Sequence, residues 1–175
     1  MTDVVFNKKK IDKVKYVTDK EMPSEAYELC IKKSGVVIKA SDDKGRFYAL
    51  QTLKQLAEAE VMYCGVIKDE PRFPWRGFML DESRHFHGKE KVKMLLDMMA
   101  RYKLNRFHWH LSDDQGWRIE IKAFPNLTTV GGIGCNTDAN APAKFYTQDE
   151  VREILAYAAE RHIEVIPEID MPGHT

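Results

Sequence analysis

Residues 105–117, NRFHWHLSDDQGW, decide the fold. NRFHWHL (105–111) reads as a strand, and the polar cluster SDDQGW follows at once. The same change of texture occurs twice more. RGFMLD (76–81) runs into the cluster DESRHF, and IEVIPEID (163–170) runs into MPGHT. Between the first two runs the spacing predicts an amphipathic helix from about Lys89 to Lys103, with Val92, Leu95, Leu96 and Met99 on one face. A longer excursion containing TTVGGIGCN leads to a second helix, which opens with Thr147-Gln-Asp-Glu150. That is a capping box, because threonine and glutamate can each satisfy a free N-terminal amide. Val151, Ile154, Leu155 and Ala158 form its predicted buried stripe.

Near-continuous apolar strands alternating with helices predict a parallel sheet covered on its faces. Each strand delivers charged groups at its C-terminal end: Asp81 and Arg84, then Asp113 and Asp114, then Glu168, Asp170 and His174. A (β/α)8 barrel builds its active site there. A doubly wound sheet does the same, but neither GxGxxG nor GxxxxGK[ST] occurs, which removes its usual nucleotide-binding form. A complete barrel takes roughly 250 residues. The expectation is therefore an α/β fold comprising the first three βα units of a TIM barrel, cut short where a third helix should begin.

Working outward, EPRFPWRG (70–77) carries two prolines and a glycine and reads as the domain boundary. Before it, residues 1–70 read as a small α/β domain. EAYELCI (25–31) alternates Tyr27, Leu29 and Ile31 against polar partners, KKSG turns, and VVIKA (36–40) returns, which predicts a hairpin. SDD (41–43) starts a helix that carries Phe47, Leu50, Leu53 and Ala57 to about Glu60, and CGVIKD (64–69) is a closing strand. The basic segment NKKKIDKVK (7–15) reads as the wet face of an edge strand or an N-terminal arm. Residues 71–175 are then the N-terminal part of the barrel domain.

Lysine plus arginine and aspartate plus glutamate both number 27, a balance that argues against a nucleic-acid partner. No apolar run reaches membrane-spanning length, and no signal-peptide pattern follows Met1. Three widely spaced cysteines (Cys30, Cys64, Cys135) suggest neither a disulfide framework nor a zinc ribbon.

His108 and His110 share one face of their strand. An HxH at a strand end can hold a divalent metal, which would make the protein a metal-dependent barrel hydrolase. No HExxH is present, and the only other histidine at a strand end is His174. The favoured alternative has one histidine hydrogen-bonded within the barrel and the other packed under the loop. No metal or other cofactor is expected. An aspartate from one strand and a histidine from its neighbour, about 4.8 Å away, can pair, and the acid then fixes the imidazole's tautomer. Arg84 could clamp vicinal hydroxyls or a carboxylate, or ion-pair with Asp81 or Glu82. Trp109 and Trp117 suit stacking on a sugar face, although a strand tryptophan is more often core.

Together RGFMLDESRHF, MARYKLNRFHWHLSDDQGWRIEI and IPEIDMPGHT resemble the first three strand–loop segments of the family 20 glycoside hydrolases, the β-N-acetylhexosaminidases. PRFPWRG and GRFYALQTLKQL resemble the small domain and junction that precede that family's barrel. The resemblance implies hydrolysis of terminal β-linked N-acetylhexosamine, assisted by the substrate's own acetamido oxygen. It also implies a carbohydrate partner and work outside the cytoplasm, whether periplasmic, secreted or lysosomal. Arg84 would hold the ring hydroxyls, and Asp113 would pair with His174 beside the general acid. Asp114, Glu168 and Asp170 would be supporting groups. The family's acid is a glutamate paired with an aspartate after the fourth strand, and these 175 residues contain neither. The chain alone is therefore expected to be inactive, or to be a non-catalytic carbohydrate-binding remnant. Its open sheet edges are expected to invite self-association.

Overall fold

The structure, a computed structural model, describes Asn7, Ile11 and residues 13–174. Lys8, Lys9, Lys10 and Asp12 of the basic segment lie outside the described residues. The chain divides into two compact units, one running to Pro74 and including Arg101–Lys103, the other made of Trp75–Ala100 and Leu104 onward.

In the first unit, strands β1 (Val14–Thr18), β2 (Tyr27–Lys32), β3 (Gly35–Ala40) and β4 (Gly65–Asp69) form one sheet, with helix α1 (Asp43–Glu58) between β3 and β4. The strand order is β1-β3-β2-β4. The expected hairpin is present, with Leu29 opposite Ile38 and Lys32 opposite Gly35. Alternation places Tyr27, Leu29 and Ile31 in the core with Val36, Ile38, Tyr48 and Leu53. Asp42 caps α1 by accepting from the Gly45 amide at 2.8 Å. Val14 and Lys15 do belong to an edge strand, and β1 runs parallel to β3.

The second unit holds the three expected strands, β5 (Gly77–Asp81), β6 (Arg106–His110) and β9 (Glu164–Glu168). They are parallel, in the order β5-β6-β9. Helices α2 (Lys89–Arg101) and α4 (Gln148–Ala159) are the connections. The excursion after β6 contains a ribbon of β7 (Ser112–Asp113) and β8 (Gly116–Trp117) and a single helical turn, α3 (Asn126–Thr129). Phe107 and Trp109 of β6 are buried, as are Val92, Leu96 and Met99 of α2 and Ile154 and Ala158 of α4.

Two details depart from expectation. Leu155 is 44 % exposed, because the buried stripe of α4 narrows to the i, i+4 pair Ile154 and Ala158. The sheet is also not covered on both faces. Met79, His108 and Ile166 line an open hollow, and Met79 is 47 % exposed.

Candidate active site

Parallel register brings Asp81, His110 and Glu168 level with one another at the C-terminal ends of β5, β6 and β9. The chain then turns at each end and returns side chains to the same place. Arg84, three residues beyond Asp81, donates its backbone amide to Asp81 Oδ1 at 3.0 Å and Nη1 to Oδ2 at 2.7 Å. Its other arm, Nη2, lies 2.6 Å from Asp113 Oδ2. Arg84 thus makes the ion pair with Asp81 anticipated from spacing, and it also reaches Asp113.

Asp113 is the hub. It is 2 % exposed, and β7 turns it back over the strand ends. Besides Arg84 it takes His110 Nε2 at 2.9 Å, the Asp114 amide at 2.8 Å and His174 Nδ1 at 3.2 Å. Burial pushes its carboxyl up, but the Asp114 amide, His110, His174 and Arg84 together outweigh that and hold it below the ordinary range.

His110 is buried between two carboxylates, with Nδ1 3.1 Å from Glu168 Oε1. That contact is ionic rather than a directional hydrogen bond, since Nδ1 lacks a partner in bonding geometry. Burial works against the imidazolium, yet Asp113 and Glu168 prevail and raise the group above its usual value. Nε2 bonds Asp113 and Nδ1 faces Glu168, so both carboxylates favour the protonated ring. Glu168 is opposed by burial but held low by His110 and by His108, whose Nε2 bonds its other oxygen.

The two strand histidines therefore converge on Glu168. The expectation that one of them packs under the loop is not met. Among the described residues, two groupings have ligand atoms close enough to hold a cation: His110, Glu168 and Asp170, and Asp113, Asp114 and His174. His108 belongs to neither, so the HxH pair does not form the core of a site. In each grouping the carboxylate lone pairs already face cationic donors: Arg84 on Asp113, and His110 on Asp113 and Glu168.

Asp170 contributes its amide to Ser112 Oγ at 2.9 Å, which ties the segment after β9 to β7. Asp114 is exposed and bonds Asp113 through its backbone. Trp109 is 1 % exposed and packs edge-on against Tyr146, with ring centroids 4.7 Å apart, so it belongs to the core. Trp117 is 8 % exposed and donates Nε1 to the Ile119 carbonyl at 2.6 Å.

Three further buried groups adjoin this cluster, and of them sequence reasoning weighed only Glu82, as an ion-pair partner for Arg84. Glu82 is fully buried, accepts from Tyr146 Oη at 2.7 Å and the His87 amide at 2.6 Å, and is raised by burial. Arg118 is the third, with its guanidinium turned inward. Glu82 lay within the polar cluster already singled out. Arg118 sits in an alternating run, GWRIEI, where an arginine reads as a solvent-facing residue.

Two family profiles match the chain. Residues 73–175 match "Glycosyl hydrolase family 20, catalytic domain", and residues 3–70 match "Glycosyl hydrolase family 20, domain 2". A beta-hexosaminidase of Porphyromonas gingivalis is 50 % identical over 164 residues, which is 87 % of this chain and 21 % of that one. The N,N'-diacetylchitobiase of Vibrio harveyi is 45 % identical over 171 residues, covering 86 % of this chain and 19 % of its own. Among solved structures, a Vibrio harveyi GH20 exo beta-N-acetylglucosaminidase in complex with N-acetylglucosamine superposes with a TM-score of 0.87. It is 41 % identical, and the match covers 93 % of this chain and 28 % of that one. A mutant Streptomyces plicatus beta-hexosaminidase in complex with product (GlcNAc) gives a TM-score of 0.83 at 44 % identity, over 93 % of this chain and 34 % of its own. The chain thus spans about a fifth to a third of the length of these relatives.

Proposed function

The chain belongs to glycosyl hydrolase family 20, and from that premise we propose that the full-length protein is an exo-acting β-N-acetylhexosaminidase. It removes terminal β-linked N-acetylglucosamine or N-acetylgalactosamine with help from the substrate's acetamido oxygen. Residues 1–70 are its small α/β domain, and residues 71–175 are the first three βα units of a TIM barrel. Its place of work, as membership of the family implies, is outside the cytoplasm.

The observation that carries this reading is the convergence on Asp113 of Arg84, His110 and His174 at the ends of parallel strands. Arg84 presents a guanidinium whose remaining donors suit the vicinal hydroxyls of a sugar ring. Asp113 keeps the proton of His174 on Nδ1, which fixes the tautomer and leaves Nε2 for the catalytic acid. Asp114, Glu168 and Asp170 support the pair through a backbone amide, an ion pair with His110 and a bond to Ser112.

The acid itself is not among these residues. The adjacent pair Asp81-Glu82 has the right side chains, but Asp81 is committed to Arg84, and Glu82 is buried beneath Tyr146. The 175-residue polypeptide by itself is therefore inactive on this reading.

The test is hydrolysis by the full-length protein of an aryl β-N-acetylglucosaminide against the matching aryl β-glucoside, which lacks the acetamido group. Hydrolysis of the first and not of the second is expected. Arg84→Ala should lower kcat/KM by roughly 10²-fold, the scale of a lost positioning contact. Equal rates on the two glycosides would refute the assisted mechanism, and an Arg84→Ala variant with full activity would refute the assignment of Arg84.

A further inference from the structure

Arg118 is 1 % exposed, and among the described residues no carboxylate pairs with it. Its guanidinium donates instead to five backbone carbonyls. Nη1 reaches Gly132 at 2.6 Å and Lys144 at 3.1 Å. Nη2 reaches Gly134 at 2.7 Å, Ser83 at 2.9 Å and Gln115 at 3.2 Å, and Nε also faces Ser83, at 3.3 Å. Burying a cation is costly, and neutral carbonyls return only part of that cost. Here the burial pulls the guanidinium below the usual arginine range.

The carbonyls belong to three segments, and each segment leads to the candidate site. Ser83 precedes Arg84, and its own Oγ donates to the Gly116 carbonyl at 2.6 Å. Gln115 lies two residues past Asp113 in the β7–β8 turn. Two residues beyond Gly134, the Asn136 amide donates to the Arg84 carbonyl at 2.8 Å. The space around the guanidinium is exclusive: a Cβ at Gly116 would stand 2.2 Å from Arg118 Cζ.

We propose that Arg118 is a positioning residue for Arg84. Asp81 and Asp113 set the direction of the Arg84 guanidinium, while Arg118 fixes the backbone from which that side chain springs. This inference rests on the reading of Arg84 as the residue that holds the sugar hydroxyls. A lysine at 118 offers three donors from one point and cannot span five carbonyls.

The experiment is a double-variant cycle in the full-length protein, on an aryl β-N-acetylglucosaminide. Arg118→Lys is expected to lower kcat/KM by about 10²-fold, as expected when a contact is misplaced by about an ångström. In an Arg84→Ala background the same change should cost less than about threefold, because the two residues act as one unit. Equal losses in both backgrounds would overturn the inference. Gly116→Ala crowds the guanidinium without removing it, and should reproduce the pattern if Arg118→Lys fails to fold. Amide hydrogen exchange reads positioning without reference to catalysis. Faster exchange confined to residues 83–86 and 134–136, with β5 and β6 unchanged, is expected of Arg118→Lys. Parent-like protection at 83–86 would overturn the inference even in an active enzyme. A full-length protein inactive on every β-N-acetylhexosaminide would instead defeat the proposed function, while exchange would still decide how Arg84 is held.

Discussion

At the scale of single residues, the site is a charge balance around one buried carboxylate. Asp113 accepts from four donors, so an amide in its place would turn two hydrogens toward Arg84, His110 or His174. Asp113→Asn should lower kcat of the full-length protein by roughly 10²–10⁴-fold, the span usual for lost acid–base assistance, while circular dichroism stays unchanged. The same network predicts the pH dependence of stability. Asp113 and Glu168 are held below their ordinary values of 3.8 and 4.5, so their contribution is full above those values and is lost as pH falls through the native ones. His110 is raised above its ordinary 6.5, so its contribution is full below that value and is lost as pH rises through the native one. Thermal melts across pH should show a plateau that falls on both sides, and His110→Gln should remove the alkaline fall; a variant that keeps it would contradict this account. Chelation should leave activity unchanged, because both strand histidines already face Glu168, and a loss restored by zinc would bring the metal reading back. The pairing of Asp113 with His174 was legible in sequence because residues at the ends of neighbouring parallel strands come within reach of each other. His110 was not, since an HxH spacing shows which face a residue takes and not that carboxylates from two other segments will enclose it.

At the scale of elements, local rules mostly prevailed. Thr147 and Glu150 cap α4 reciprocally, with the Glu150 amide 3.2 Å from Thr147 Oγ1 and the Thr147 amide 3.0 Å from Glu150 Oε2. Thr147→Ala should cost about 1 kcal/mol, measurable by denaturant unfolding. Gly45, in the first turn of α1, tests packing against propensity. Alanine would gain up to ~1 kcal/mol of helix propensity. Yet its Cβ would lie 2.4 Å from the Ala26 carbonyl oxygen, and overpacking typically costs ~1–3 kcal/mol. Net destabilisation is expected, and a rise in midpoint would show that the backbone yields freely there. The elements that periodicity missed are those too short to carry a period. The β7 and β8 strands are two residues each, and α3 is four. The parallel pairing of β1 with β3 was hidden for another reason: strand direction depends on the route of the intervening chain, which no alternation of side chains encodes.

At the scale of the whole chain, the second unit presents what a folded domain usually conceals. In its three-stranded parallel sheet, β5 and β9 each have a partner on one side only, so both leave a row of backbone donors and acceptors open. The face bearing Met79, His108 and Ile166 is hollow, and Phe78 beside it is 44 % exposed. Trp75 (62 %) and Met171 (71 %) add to the exposed apolar surface of this unit. Open edges supply directional hydrogen bonds, and the apolar face supplies a driving force of roughly 25 cal/mol for each Å² removed from water. Acting together they favour pairing of one copy's sheet with another's. The 175-residue polypeptide should therefore self-associate, with an apparent mass in light scattering that rises with concentration. Charge separates the two contributions. Met79→Lys leaves the β5 backbone unchanged but places an ammonium on the hollow face, where a second copy would have to bury it. Association that weakens in this variant would assign the contact to the face, whereas association unchanged by it would assign the contact to the strand edges. A monodisperse monomer at every concentration would mean that neither surface is available for pairing.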